Sequence, residues 1–164
     1  MGLDMYMYLR KSEALGKWHK DYEERVGSFY PPELEKFQNK INERNFLDKT
    51  TMYQVGYWRK ANAIHRWFVN NCAEGKDECQ RIYVSKESIQ KLLDTCKEVL
   101  ADHSKADELL PTQSGFFFGG TEYDEWYFRD LEYTVELLTD ITDFLTDANS
   151  DSSIYYDAVY QASW

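Results

Sequence analysis

The N-terminal stretch GLDMYMYLR alternates strongly apolar side chains with polar or amphipathic ones. Leu3, Met5, Met7 and Leu9 point one way, and the residues between them point the other. Because successive side chains of a β-strand point to opposite faces, this period of two predicts a strand that is covered on one face. A lone strand leaves its backbone hydrogen bonds unmade, so the chain has to build a sheet around this segment.

Other segments supply partners and cover for that sheet. The stretches RIYV (81–84) and GFFFGG (115–120) are predicted as two further short strands. The C-terminal residues 148–164 are predicted as a loop and then an aromatic segment that packs on the rest. Helices are predicted for residues 12–26, 28–46, 53–72 and 85–103, and for a last segment from Thr121 or Asp124 to Asp147. The expected fold is α+β, a single domain over residues 1–164 with about four to five helices packed on a small sheet of about three short strands.

The third of these helices, residues 53–72, is the central one in this prediction. One apolar face of it collects five residues at helical spacing, namely Tyr57, Ala61, Ile64, Phe68 and Cys72. For the fourth helix, Ser85 is the predicted N-cap.

All of the net charge of −10 lies in the last quarter of the chain. From Thr121 onward there are eleven acidic residues and one base, Arg129, whereas the first 120 residues contain 18 acids and 18 bases. Such a surface repels the phosphates of nucleic acids. Direct binding to DNA or RNA is therefore disfavoured.

The last predicted helix separates its apolar and acidic residues. Leu131, Val135, Leu138 and Leu145 cluster within about 40° of one line on the helical wheel. Six carboxylates share a stripe between about 100° and 180° from it: Glu125, Glu132, Glu136, Asp140, Asp143 and Asp147. One interpretation is a solvated helix face. The other is that carboxylates spaced about 4.5–6 Å along the axis resemble nucleic-acid phosphates and occupy a basic channel of a partner protein, with Trp126, Tyr127 and Tyr133 as anchors.

A second candidate site lies between the predicted central helix and the Gly–Phe loop, which is the stretch PTQSGFFFGGTEYD (111–124). Arg59 could meet a phosphate and aromatic rings could stack on a base, which predicts a nucleotide or small-molecule site. Its residues would be Arg59, Asn62, His65, Thr112, Ser114 and Phe117. The loop does not match a phosphate-binding glycine pattern, so a packing role for its phenylalanines is favoured first. His65 is interpreted first as a partly buried structural histidine.

The sequence favours a binding protein over an enzyme. No nucleophile–base pattern, HExxH pair or CxxC-type zinc spacing is present, so no catalytic residue, metal or cofactor is assigned. Cys72, Cys79 and Cys96 form an odd set with no export signal, which predicts reduced thiols in a cytoplasmic protein; a bridge between Cys72 and Cys79 is the alternative. No apolar run approaches the ~18 residues needed to cross a membrane.

Three segments resemble a family of small, largely uncharacterised proteins encoded by tailed bacteriophages, prophages and their host genomes. They are the opening MGLDMYMYLR, the middle YWRKANAIHRWFV and the late LLPTQSGFFFGGTEYDEWYFRDL. The resemblance implies a phage accessory protein in the cytoplasm of the bacterial host. Such proteins often counter host defences, including CRISPR effectors, by occupying a surface. No catalytic residue is carried over.

Two functional hypotheses follow. The first is a non-enzymatic inhibitor of a host defence protein or nuclease complex, of the anti-CRISPR type, that binds through the acidic stripe. The second is a nucleotide or small-molecule binding protein that sequesters a defence signal or modifies a nucleotide. A structural phage component stays open as a third, and the aromatic-rich surface would also suit a homodimer.

Overall fold

The computed structural model describes residues 2–42, 46–149 and 153–164. In this part of the chain four strands form one antiparallel sheet in the order β2-β1-β4-β3. The strands are β1 (Asp4–Gly16), β2 (Phe46–Arg59), β3 (Ile82–Val84) and β4 (Ile154–Ser163). The fold is α+β, as predicted, with four strands instead of about three.

The N-terminal alternation is confirmed and lies at the centre of the sheet. Met5 and Met7 are fully buried in β1, while Tyr6 between them is half-buried on the other face. Met7 lies opposite Gly56 of β2 on one side and Tyr160 of β4 on the other. Both edges of β1 are therefore hydrogen-bonded, and its apolar face begins the core.

Six α-helices occur within the described residues. They are α1 (Tyr22–Arg25), α2 (Glu35–Asn42), α3 (Asn62–Cys72), α4 (Lys86–Ala101), α5 (Ala106–Leu109) and α6 (Glu125–Ala148). The main core joins the apolar face of the sheet to α3, α4 and α6 through fully buried residues such as Phe68, Leu92 and Leu131. A smaller cluster under the other end of β1 and β2 consists of Leu15, Tyr22, Phe29 and Leu47.

Several predicted helix boundaries are confirmed by their caps. The Ser85 Oγ accepts a hydrogen bond from the Ser88 N–H at 3.1 Å and begins α4. The Asp124 Oδ1 accepts a hydrogen bond from the Tyr127 N–H at 3.1 Å at the start of α6. Asp124, and not Thr121, is therefore the N-cap of this helix. RIYV contains β3, and a 3₁₀ turn at Pro32–Leu34 leads into α2. Residues 43–45, at the end of the second predicted helix, lie outside the described residues.

The helix predicted for residues 12–26 is wrong over its first part. β1 continues to Gly16, and only Tyr22–Arg25 is α-helical, followed by a 3₁₀ turn. Ser12 pairs with Thr50 on one side and Tyr155 on the other. Tertiary pairing with two strands outweighs the helix propensity of Glu13, Ala14 and Leu15.

The central helix predicted for residues 53–72 is wrong in its first half. Residues up to Arg59 belong to β2, and α3 begins only at Asn62. The sequence signal is ambiguous because Tyr57 fits the helical apolar face, yet in the strand Tyr57 is exposed and Trp58 is buried. A register shift between Met7 and Tyr8, where β2 bulges, further hides the period of two.

Two other strand assignments are also corrected. GFFFGG is a loop with a turn, in which the Phe118 N–H donates to the Gly115 carbonyl at 3.1 Å. Gly119 there has a φ of +84°, which interrupts an extended strand. The aromatic C-terminal segment is not only packed: as β4 it pairs with β1 and β3 inside the sheet, and the ring of Tyr160 is fully buried.

Candidate ligand-binding cleft

The turn between β2 and α3 holds two basic residues at the rim of a cleft. Lys60 has a φ of +59°, a left-handed conformation that costs a non-glycine residue about 1–2 kcal/mol. Its N–H donates to the Leu3 carbonyl at 2.8 Å, and its carbonyl accepts from the Asn62 N–H at 2.9 Å across an inverse γ-turn at Ala61. The chain thus turns from the sheet into α3 with the side chains of Arg59 and Lys60 exposed.

Asn62, the first residue of α3, fixes the loop of residues 111–124. Its Nδ2 donates to the carbonyls of Phe118 and Gly120 at 3.0 and 2.8 Å, and its Oδ1 accepts from the Gln113 N–H at 2.9 Å. The side chain is only 4% exposed. One buried amide therefore satisfies three backbone groups of a segment that has no strand partner.

The three consecutive phenylalanines of this loop have three different environments. Phe118 is buried with its ring 5.3 Å from the ring of His65. Phe117 is half-buried, and its carbonyl accepts a hydrogen bond from the Leu3 N–H at 3.0 Å. Phe116 is 96% exposed. Phe118 and Phe117 therefore pack against the core, as the packing interpretation expects, whereas the ring of Phe116 is in solvent.

A cleft of about 360 Å³ lies where the start of α3, the loop of residues 111–124 and the start of α6 meet. The β2–α3 turn contributes Arg59 and Lys60. The loop and α6 contribute three acids and two aromatic rings, namely Glu122, Asp124, Asp130, Trp126 and Tyr127. Its volume and its mixture of apolar and charged groups fall within the range of small-molecule sites.

Asp130 is the most perturbed carboxyl of the cleft. Burial raises its pKa to about 6, and the nearby charge of Asp124 adds to the rise. No hydrogen-bond donor or cation within the described part of the chain contacts its carboxylate. Tyr127 beside it is also desolvated, which raises the pKa of its hydroxyl, and this hydroxyl donates to the Leu110 carbonyl at 2.8 Å.

The basic side chains of the cleft, Arg59 and Lys60, do not form ion pairs with its acidic side chains. Arg59 makes one loose ion pair, from its Nε to the Asp4 Oδ1 at 3.9 Å, and Asp4 does not line the cleft. Across residues 2–42, 46–149 and 153–164, no ion pair joins Arg59 or Lys60 to Glu122, Asp124 or Asp130. The cleft thus has separated basic and acidic groups.

The second predicted site is assembled in part. Arg59, Asn62 and Thr112 all line the cleft. Ser114 instead lines a shallow neighbouring depression with Arg66 and Gln113, and Phe117 packs against the core. Lys60, Glu122, Asp124 and Asp130 were not predicted as site residues, and Trp126 was predicted as an anchor beside the acidic stripe. The i,i+4 spacing of Trp126 and Asp130 could have placed them on one face.

His65 lies in a buried network behind the cleft and not in its lining. Its Nε2 is 2.9 Å from the Asp77 Oδ2, and its Nδ1 is 2.7 Å from the Tyr160 Oη. Because a carboxylate only accepts, the hydrogen bond to Asp77 places a hydrogen on Nε2 of His65. Asp77 also accepts from the Trp164 Nε1 at 3.1 Å. This network ties α3 to β4, as expected for a structural histidine.

The acidic face of α6 consists of Glu125, Glu132, Glu136, Asp140, Asp143 and Asp147, and all six side chains are exposed. Its length is about 33 Å at 1.5 Å per residue. The one base of α6, Arg129, pairs with Glu125 and lies 5.1 Å from the centre of the Trp126 ring. On the opposite side of the helix Leu131, Leu138 and Leu145 are buried, so the predicted separation of faces is confirmed.

The cysteines, the metal-ligating side chains and the longer helices are the remaining candidates for a functional role. The three cysteines are free thiols, and burial raises the pKa of Cys96 to about 12, which keeps it a poor nucleophile at neutral pH. Among the described residues no group of three or more His, Cys, Asp and Glu side chains has the arrangement of a metal site. None of the helices described is both long and apolar enough to cross a bilayer.

A scan against protein-family models, a search of curated proteins and a search of solved structures each returned no match. The resemblance to phage-encoded and prophage-encoded proteins therefore rests on the three quoted segments and stays a prediction. The arrangement of the site has to carry the functional argument.

Asn62→Ala tests the anchor of the cleft. We expect it to lower the free energy of unfolding by about 2–3 kcal/mol, because it leaves buried backbone groups of the loop without partners. The measurement is urea denaturation. Asn71→Ala is the matched control in the same helix. Asn71 is exposed, and within the described residues its side chain bonds only to the Trp67 carbonyl, so we expect a change within about 0.5 kcal/mol. Equal effects of the two substitutions would contradict the assigned role.

Proposed function

We propose that this chain is a non-enzymatic binding protein that holds a small polar molecule in the cleft between α3, the loop of residues 111–124 and α6. The observation that carries the proposal is the set of charged side chains that line this cavity without pairing with one another. A half-buried charge without a partner costs free energy, which a complementary ligand recovers.

The side chains of the cleft have complementary tasks. The guanidinium of Arg129 lies over the ring of Trp126, but the side chain of Trp126 is still 69% exposed, so ring surface stays free for a ligand. Arg59 presents a fork of donors that suits a carboxylate or a phosphate. The loop is already held by Asn62, so binding has little ordering to impose on the backbone.

Nucleotides and cyclic oligonucleotides are the first class to test. The ring of Trp126 can stack on a base, and Arg59 with Lys60 can meet a phosphate. A protein of this kind sequesters its ligand, which fits the second function expected from the sequence.

A thermal-shift panel of nucleotides, cyclic oligonucleotides, amino acids and sugar phosphates tests this function. A ligand present at 100 times its Kd should raise Tm by about 5–10 °C. Trp126→Ala should weaken binding about tenfold or more by removing the stacking surface. Trp18→Ala is the matched control, since Trp18 is 71% exposed and does not line the cleft. The proposal is wrong if no compound of the panel shifts Tm at millimolar concentration.

We also propose a second function, carried by the acidic face of α6: inhibition of a host defence nuclease by occupying its basic nucleic-acid channel. The specific observation is that all six carboxylates are exposed along one line of the helix. Electrostatic attraction to a basic channel would make association fast and sensitive to salt. The phage resemblance supplies the biological setting for this proposal.

A pull-down from a bacterial host lysate with charge-matched variants tests the second function. The wild-type protein should retain a nucleic-acid-binding protein that added duplex DNA displaces. The triple variant Glu132/Glu136/Asp140→Lys should lose it. The control Glu23/Glu24/Glu35→Lys changes the net charge equally at exposed positions outside the acidic face and should keep it. Loss with both triple variants would indicate a net-charge effect and count against a specific acidic surface.

A further inference from the structure

The charges of the cleft restrict the chemistry of its ligand, on the premise that the cleft is a binding site as proposed above. Arg59 and Lys60 come from the β2–α3 turn, and Asp130 comes from the second turn of α6. They line the same cavity without forming an ion pair, so they do not neutralise one another. A purely anionic ligand would satisfy the basic pair and leave Asp130 without a partner.

Asp130 and Trp126 form one binding surface on α6. They are four residues apart and therefore on the same face of the helix, and both line the cleft. A carboxylate beside an exposed indole ring is suited to an organic cation, which gains a charge-assisted hydrogen bond to Asp130 and contact with the ring surface that the Arg129 guanidinium leaves open. The other carboxylates of the cleft, Glu122 and Asp124, add negative potential to the same region.

We propose that the ligand of this cleft is a small zwitterion whose protonated amine binds at Asp130 and whose carboxylate or phosphate binds at Arg59 and Lys60. The amine reaches a half-buried acceptor that has no donor among the described residues. The anionic group reaches the guanidinium of Arg59 at the rim. The distance between Asp130 and the basic pair in the cleft then favours zwitterions whose linker between amine and anion matches that distance.

An organic amine suits the acidic end better than a metal ion. The described residues provide no cluster of three or more metal-ligating side chains. The Asp124 Oδ1 already accepts the capping hydrogen bond from the Tyr127 N–H, and the Tyr127 hydroxyl is bonded to the Leu110 carbonyl. Asp130 is therefore the carboxylate of α6 that is left to receive a cation in the cleft.

Titration calorimetry with a series of defined probes tests the proposal. The zwitterions are glycine, β-alanine, 4-aminobutanoate, 6-aminohexanoate and O-phosphoethanolamine, the last of which distinguishes a phosphate from a carboxylate. The matched probes are butanoate and hexanoate, which lack the amine, and butylamine, which lacks the anion. At least one zwitterion should bind at least tenfold more tightly than its matched single-charge probe.

The pH dependence identifies the carboxylate. Burial raises the pKa of Asp130 to about 6, and a bound ammonium favours the ionised form. Affinity should therefore be highest above pH 6 and fall towards pH 5, by a factor that approaches ten per pH unit. The substitution Asp130→Asn is needed to assign the effect to Asp130, because other titratable or charged side chains also face the cleft. They are Glu122, Asp124, Tyr127, Arg59 and Lys60. Asp130→Asn should weaken zwitterion binding about 10- to 100-fold and abolish the dependence, whereas Asp94→Asn on the exposed side of α4 should change neither.

Three different results would overturn the inference. If nucleotides or simple anions bind as tightly as zwitterions and bind better at low pH, the cleft is a binding site but an anionic one, and the proposed function survives. If no probe of any class binds the wild-type protein, the inference and the proposed function fail together. Binding of a zwitterion that Asp130→Asn leaves unchanged would also refute the assigned pairing.

Discussion

The pairing of β1 along both of its edges is the constraint on which the rest of the structure depends. Because β1 lies between β2 and β4, the first and last segments of the chain meet at the centre of one sheet. Its apolar face then needs cover along its whole length. α3, α4 and α6 supply this cover over the main core, and Tyr22 and Phe29 supply it at the end that contains Leu15. The position of α3 over the sheet follows from the left-handed turn at Lys60, which is itself bonded to Leu3 at the start of β1.

The cleft follows from this arrangement through one buried amide. α3 begins at Asn62, and the Asn62 side chain holds the loop that leads to the cap of α6 at Asp124. The same turn that orients α3 exposes Arg59 and Lys60. The same loop that Asn62 fixes positions Trp126 and Asp130. The basic groups of the cleft are therefore held by the β2–α3 turn, and the acidic groups by α6 and the loop that Asn62 bonds, which is the kind of preorganisation that a binding site requires.

Local patterns in the sequence predicted some of these features and missed others for physical reasons. The alternation from Leu3 to Leu9, the cap at Ser85 and the two faces of α6 are visible locally, and the structure confirms them. The length of β1 beyond Arg10, the strand β2 and the strand β4 depend on pairing between distant residues, which a local period cannot reveal. The structure brings Arg59, Asn62 and Thr112 into one cleft because they flank a turn and a glycine-rich loop. Asp130 was missed because its role can be recognised only when the cleft is known. Lys60 was missed because its role can be recognised only when its left-handed backbone conformation is known.

A ¹H–¹⁵N NMR titration that follows the indole N–H signals of the five tryptophans tests most directly whether the cleft is a ligand site. With 6-aminohexanoate, or any stabilising compound from the thermal-shift panel, the signal of Trp126 should move in a saturable way. The backbone signals of Lys60 and Asn62 should follow the same binding curve, while Trp18 stays unchanged. Saturable shifts confined to residues away from the β2–α3 turn and the start of α6 would contradict the account.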